Sequence, residues 1–234
     1  MLILAFETSA KAGSVALMDA GVLLAENYQN TGLTHSQTLM SMAEAMLSHS
    51  GKTPQDVQAV AVAAGPGSFT GVRFGVAAAK GFAWGSQIPC YGVSTLEAMA
   101  CSLGLWKGVI CCVMDARRSQ VYNALFRAEG GKLTRLTEDR AISLEDLKKE
   151  LKNFEETVFL VGDGSNLCYN TLQEELLTLA LPPEHRLHQR AAGVALAAQA
   201  LIEAGQPGDP ETLIPNYLRL SQAERERLAK EQEK

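Results

Sequence analysis

The alternation of short apolar runs with turn residues constrains this chain more than any other feature. Leu2–Glu7, Gly13–Met18 and Val22–Tyr28 are three runs of strand length, separated by turn residues, most plainly Asp19-Ala20-Gly21. They predict a meander. Thr34–Ser48 follows as a helix: Thr34 with Gln37 is a capping-box pattern, and Gly51 lies past its end. Val57–Ala64 is almost continuously apolar between Asp56 and Gly65 and reads as a buried strand. Thr70–Trp84 reads as a helix rich in small residues, Pro89–Val93 as a short strand, and Ser94–Leu103 as a helix capped by Ser94 with Glu97 in its first turn. Three strands, then helix, strand, helix, strand, helix, predict a mixed α/β layered unit.

A second unit opens near Gly108. Val109–Met114 is a strand, Gln120–Arg127 pairs with it, and Gly130-Gly131 turns the chain. Ser143–Asn153 reads as a charged helix, Thr157–Val161 as a strand, Gly162-Asp163-Gly164 as a loop and Asn166–Thr178 as a helix. Pro182-Pro183 breaks the pattern, Ala191–Ala204 is an Ala-rich helix, Gly205–Pro210 a loop, and Pro215–Leu220 closes the fold. The second opening repeats the first without a visible sequence repeat, which is compatible with a duplicated lobe. The expected organisation is one lobe over 1–106, a second over 107–220 whose last segment is free to return to the first, and a tail over 221–234. That tail, with 4 basic and 4 acidic residues, reads as a frayed helix or a disordered end.

Charge is unevenly spread. Residues 1–110 hold 11 charged side chains and residues 111–234 hold 36. A charge-poor half must cover its apolar faces with the rest of the chain or with another chain. Thr34–Ser48 is apolar around most of its circumference, at Leu39, Met40, Met42, Ala43, Ala45, Met46 and Leu47. One face suits the chain's own sheet and the other a partner. In Thr70–Trp84, Gly71, Gly75 and Ala79 recur every four residues with Ala78 and Phe82 beside them, a spacing that lets another helix approach closely. The net charge of −5 argues against a non-specific grip on nucleic acid.

Catalytic signals are sparse. Gly65-Pro66-Gly67-Ser68-Phe69-Thr70-Gly71-Val72-Arg73-Phe74-Gly75 is a turn after a buried strand that leads straight into a helix. Its free N–H groups suit an anion, although a plain turn has the same pattern, and the Gly-Lys-Ser/Thr ending of a Walker A loop is absent. Glu7 and Asp115 stand at strand ends where carboxylates meet ligands or cap turns, and Arg117-Arg118 suits a phosphate or a surface ion pair. No His-x-x-x-His or Cys-x-x-Cys pair occurs; His185 and His188 fall in a loop and read as exposed. Cys90, Cys101, Cys111, Cys112 and Cys168 are odd in number and mostly in apolar surroundings, so free thiols in a reducing compartment are expected. No apolar run reaches the ~20 residues that span a bilayer. The apolar start lacks a basic region and meets Glu7 early, so a cytoplasmic chain without a signal peptide is expected.

Leu2-Ile3-Leu4-Ala5-Phe6-Glu7-Thr8-Ser9, the Gly65–Gly75 stretch, Gly92-Val93-Ser94-Thr95-Leu96, Asp115-Ala116-Arg117-Arg118 and Pro215-Asn216-Tyr217-Leu218-Arg219 together make the chain resemble the bacterial TsaB (YeaZ) family. These are tRNA threonylcarbamoyladenosine biosynthesis proteins, and the resemblance covers nearly the whole chain. It implies an α/β fold of two actin-like (ASKHA, RNase H-like) lobes. It also implies a non-catalytic scaffold and activator for TsaD, the transferase that places a threonylcarbamoyl group on N6 of adenosine 37 in tRNAs reading codons that begin with A. The TsaE ATPase joins that complex, and without TsaD the chain is expected to form a homodimer through the same helices. The catalytic paralogue holds its metal with two histidines on its first long helix. Thr34-His35-Ser36-Gln37 offers one, so no metal, cofactor or catalytic residue is expected. Glu7 stands where many relatives have Asp.

The resemblance places the partner surface on the helices Thr34–Ser48 and Thr70–Trp84. The expected contact residues are His35, Leu39, Met42, Ala43, Met46, Gly71, Arg73, Gly75, Ala78, Ala79 and Phe82. Arg73 either reaches the partner or caps a loop. The competing reading is a small-molecule kinase or ATPase of the same fold, motivated by the glycine turns and the strand-end carboxylates. A metal-dependent protease is disfavoured by the missing metal and nucleophile pairs.

Overall fold

The computed structural model describes residues 1–104, 107–117 and 119–219. The tail expected over 221–234, Leu220 and Arg118 lie outside the described residues. The first lobe runs β1 (Leu2–Glu7), β2 (Gly13–Asp19), β3 (Val22–Gln29), α1 (His35–His49), β4 (Ala59–Gly65), α2 (Phe69–Ser86), β5 (Cys90–Ser94) and α3 (Thr95–Ser102). Tight turns make β1, β2 and β3 antiparallel neighbours, whereas the helical crossovers bring β4 and β5 in parallel to β1, giving the order β3-β2-β1-β4-β5. The caps of α1 and α3 are where the residues predicted them, and α2, expected from Thr70, begins one residue earlier. Thr34 and Gln37 form the capping box of α1, Ser68 accepts from the Gly71 N–H to start α2, and Ser94 accepts from the Glu97 N–H to start α3. The strand expected from Val57 begins at Ala59, because Pro54–Asp56 first makes a 3-10 turn capped by Thr53.

The second lobe runs β6 (Gly108–Asp115), β7 (Gln120–Glu129), β8 (Lys132–Arg135), β9 (Arg140–Ser143), α4 (Leu144–Leu151), β10 (Val158–Val161), α5 (Ser165–Leu172), β11 (Leu179–Ala180) and α6 (Ala191–Glu203). Its sheet order is β11-β10-β6-β7-β8, with β9 also paired to β7. β6, β7 and β8 are antiparallel neighbours, and β10 and β11 lie parallel to β6, so the second sheet repeats the first strand for strand. This is the double actin-like arrangement. The helix expected over Asn166–Thr178 stops at Leu172, where the Glu175 and Leu176 N–H groups fold back onto the Leu172 carbonyl before β11. β8 and β9 escaped the sequence reading because four-residue strands without a fully buried residue carry little apolar periodicity.

Strand alternation divides the first sheet into two unlike faces. Leu4, Phe6, Leu17, Val60 and Val62 point to α1 and α2. Ile3, Ala5, Ala16, Ala59 and Ala61 point to α6, whose own contact residues are Ala191, Val194, Ala195 and Ala198. Small residues on both sides bring α6 close, and a Cβ on Gly193 would collide with the Ala98 carbonyl of α3. The last helix of the described residues therefore completes the layer under the first sheet.

The chain after α6 also returns to the first lobe. The Asn216 N–H donates to the Ala64 carbonyl at 2.7 Å. Gly65, at φ 116°, lets the segment pass: a Cβ there would lie 2.5 Å from the Asn216 carbonyl oxygen. Lys80 Nζ donates to the Leu213 carbonyl at 3.1 Å, and the Tyr217 ring lies 4.7 Å from that of Phe69. Arg219 then reaches the second lobe, donating to the Ala116 carbonyl at 2.6 Å.

Candidate docking face and interlobe cleft

α1 and α2 lie side by side on one face of the first sheet, and their inward sides are the core. Leu39, Met42, Ala43 and Met46, expected at a partner, are buried beneath α1 against the chain's own sheet. Gly71, Gly75 and Ala79 are likewise turned inward. A Cβ on Gly71 would collide with the Thr8 carbonyl and one on Gly75 with the Thr8 hydroxyl, which itself donates to the Gly71 carbonyl at 2.8 Å. Their small size seats α2 on the end of β1, not on another chain. Ala78 and Phe82 are half-buried against the same core. His35 is half-buried too, with Nε2 2.9 Å from the Ala10 carbonyl and its ring over Gly13, so it ties α1 to the β1–β2 turn.

The outward sides carry different residues. On α2 they are Arg73, Ala77, Gly81, Trp84 and Gly85, with Phe74 half-buried beside them. Ala77, Gly81 and Gly85 recur every four residues, and a Cβ on Gly81 or Gly85 would have nothing within 4 Å. On α1 the outward residues include Ser36, Met40, Ser41, Glu44 and Ser48. Met40 is 45% exposed and Trp84 55% exposed. Most of the residues expected at a partner lie on the inward sides of the two helices, and a different set faces outward. Small residues at four-residue spacing lie on both sides of α2, and only the contact with Thr8 decides which side is inner. Arg73 resolves the two alternatives left by the sequence: its Nε donates to the Tyr217 hydroxyl at 2.6 Å and its guanidinium lies 3.8 Å over the Phe69 ring. It clamps the returning C-terminal segment.

Between the lobes is a cleft of about 740 Å³, lined by Ser9–Lys11, Pro66–Thr70, Met114–Arg117, Tyr122, Asp163 and Asn216–Arg219. Behind its floor, at the end of β1, Glu7 is fully buried. Burial pushes its carboxyl up to about 7; the Ser9 N–H and the nearby Ser9 hydroxyl offset part of this, and the negative charge of Asp163 adds to it. The Ser9 N–H donates to Glu7 Oε1 at 2.5 Å, and the Ser9 hydroxyl lies beside the same carboxyl. Asp163 is also raised, chiefly by burial, although Gln189 donates to it at 3.0 Å. Asp115, at the end of β6, is exposed and accepts the Arg117 N–H at 2.7 Å. Among the described residues, no group of three or more His, Cys, Asp or Glu side chains is placed to hold a metal ion.

The five cysteines are free; burial raises the thiols of Cys90, Cys101 and Cys168 to about 12 and those of Cys111 and Cys112 well above the usual value. His185 is exposed and His188 lies 3.8 Å from Glu184. No helix of the described residues is long and apolar enough to cross a membrane.

Known proteins share these features. A family model described as TsaD, tRNA N6-adenosine threonylcarbamoyltransferase, matches residues 29–227. The tRNA threonylcarbamoyladenosine biosynthesis protein TsaB of Bacillus subtilis is 33% identical over 96% of both chains. The chain belongs to the TsaB (YeaZ) family. TsaB of Escherichia coli is 39% identical over 55% of this chain and 56% of its own. A crystal structure from Pseudomonas aeruginosa, described as similar to peptidase YeaZ, superposes with a TM-score of 0.76 at 25% identity, covering 93% of this chain and 99% of that one. The match spans both lobes and the returning segment.

Proposed function

We propose that this TsaB-family chain works in tRNA threonylcarbamoyladenosine biosynthesis as a non-catalytic subunit that docks on and activates a TsaD-type transferase. The observation that carries this reading is the outward face of α1 and α2. It presents Met40, Ala77, Gly81, Trp84 and Gly85 to solvent beside the polar Ser41 and Glu44, and the small residues of α2 leave room for a facing helix to approach, with Trp84 as an aromatic contact. His35, the one histidine of the first long helix's start, is engaged with Ala10 and Gly13 and serves the fold. In the absence of the transferase the same face pairs with a second copy, and an ATPase of the TsaE type completes the assembly.

Size-exclusion chromatography of the purified chain with a TsaD-type transferase tests this, with a TsaE-type ATPase added as a third arm. The wild-type chain co-elutes with the transferase, and Gly81→Glu and Trp84→Glu each abolish co-elution while keeping the thermal midpoint of the wild type. Co-elution untouched by both substitutions, or none with the wild type, overturns the reading. Transferase activity of the chain alone on adenosine 37 overturns the non-catalytic part.

A further inference from the structure

A second crevice lies at the strand ends away from the interlobe cleft, where the β2–β3 turn of the first lobe and the β7–β8 turn of the second approach the end of α3 and the side of α6. It encloses about 650 Å³, a size in the range of small-molecule sites. Gly21, Gly104 and Gly131 line it, and a Cβ on Gly131 would have nothing within 4 Å, so no side chain fills the space from these positions. Met18, Leu23, Leu133, Ala192 and Leu196 supply an apolar wall drawn from both lobes, and Leu23 and Leu196 are 44% and 36% exposed. Apolar side chains from β2, β3, β8 and α6 that line one open space hold in water a surface that a ligand would cover.

The charged groups of the crevice are unevenly paired. Glu26 accepts Arg190 Nε at 3.0 Å, Arg190 Nη2 at 2.8 Å and the Ala192 N–H at 3.1 Å. Arg190 also donates to the His185 carbonyl at 2.9 Å and lies 4.9 Å over the Tyr28 ring. This pair is closed, because the carboxylate is neutralised by its own arginine and the arginine is held on three sides. Cys101 brings no charge, since burial raises its thiol to about 12, and the Ser102 hydroxyl donates to the Ala98 carbonyl at 3.2 Å. Arg186 differs from all of these. It lines the same crevice, is exposed, and among the described residues its guanidinium has neither an ion-pair nor a hydrogen-bond partner. Glu26 is the one carboxylate among the lining residues, so the crevice carries a net positive charge, and that charge sits at Arg186.

We propose that this crevice binds a small amphipathic anion, an apolar chain ending in a carboxylate, with the chain against Leu23, Leu133 and Leu196 and the carboxylate on the Arg186 guanidinium. A carboxylate matches the fork of an arginine with two parallel hydrogen bonds, and an apolar chain displaces water from the wall. An uncharged chain would leave Arg186 unused, and a hydrophilic anion would leave the wall wet. The apolar residues line a crevice between two turns, whereas a protein partner needs a broad face such as that of α1 and α2. The crevice shares no residue with that face or with the interlobe cleft.

Calorimetric titration of the full chain with decanoate, and with decylammonium as a cation of the same chain length, tests it. The wild type binds decanoate saturably and decylammonium at least tenfold more weakly. Arg186→Glu reverses that order. Leu23→Thr and Leu196→Gln, both at exposed positions, each weaken decanoate binding at least fivefold with unchanged thermal midpoints. Absence of saturable binding at millimolar decanoate, equal binding by all variants, or the wild-type order of preference in Arg186→Glu overturns the proposal. So does decanoate binding that Trp84→Glu abolishes, because that result places the probe on the outward helix face. Loss of co-elution with a TsaD-type transferase in Arg186→Glu or Leu196→Gln overturns it as well, because the crevice then belongs to a protein partner.

Discussion

Replacing Glu7 by Gln gives a stability change whose sign and pH window follow from burial. The Glu7 carboxyl is fully enclosed at the end of β1 and titrates near 7, against 4.5 when solvated. The folded chain thus holds this proton more tightly than the unfolded chain does. Its contribution to stability is complete below the unfolded value and is lost as pH rises through the folded one. A displacement of this size corresponds to roughly 2–3 kcal/mol between pH 5 and pH 8. Glutamine keeps the shape of the protonated acid and does not titrate, so the variant loses none of this. The assay is urea unfolding of both chains at several pH values between 5 and 8, read as the difference between their unfolding free energies. Asp163 titrates in both and largely cancels. The expected result is a wild type that falls behind Glu7→Gln by roughly 2–3 kcal/mol across the window. Parallel profiles would refute the reasoning, because they would mean that the carboxylate is solvated or paired as fully in the folded chain as in the unfolded one.

Met42→Glu, in contrast to the surface substitutions Gly81→Glu and Trp84→Glu, places a charge in the core of α1 and is expected to cost at least about 3 kcal/mol in urea unfolding. Gly75→Val drives a side chain into Thr8 and Val62 and is expected to destabilise by about 1–3 kcal/mol, with a lowered thermal midpoint as the readout. Arg73→Ala releases Tyr217 and Phe69 from the guanidinium; limited proteolysis is expected to cut the segment after Pro210 faster while the lobes stay intact. The thiols of Cys111 and Cys112 are expected to resist a thiol reagent until the chain is unfolded in denaturant, since burial holds them protonated.

Much of the scaffold was legible because it is encoded locally. Three apolar runs with tight turns have few solutions other than an antiparallel meander, and capping residues such as Thr34, Ser68 and Ser94 mark helix starts by chemistry that acts within one turn. The second lobe's opening was legible for the same reason, whereas β8 and β9 were missed because such short, half-buried strands leave little apolar alternation. The candidate site was legible only in outline. The apolar residues of α1 and the small residues of α2 marked these helices out, and nothing in the spacing said which side of each would face the sheet.

The amino-acid order by itself determined most of the succession of strands and helices, several of their caps, and the family resemblance. Tertiary structure decided the rest. Thr8 turned Gly71 and Gly75 inward and left Ala77, Gly81 and Gly85 outside. The alanine face of the first sheet drew α6 back from the far end of the chain. The returning segment claimed Arg73, and closure of the lobes around Glu7 turned an ordinary strand-end carboxyl into a buried one. Caps and turns act between residues a few positions apart, so the sequence displays them directly. Helix phase, layer membership and the burial of a charge depend on surfaces brought together from distant parts of the chain.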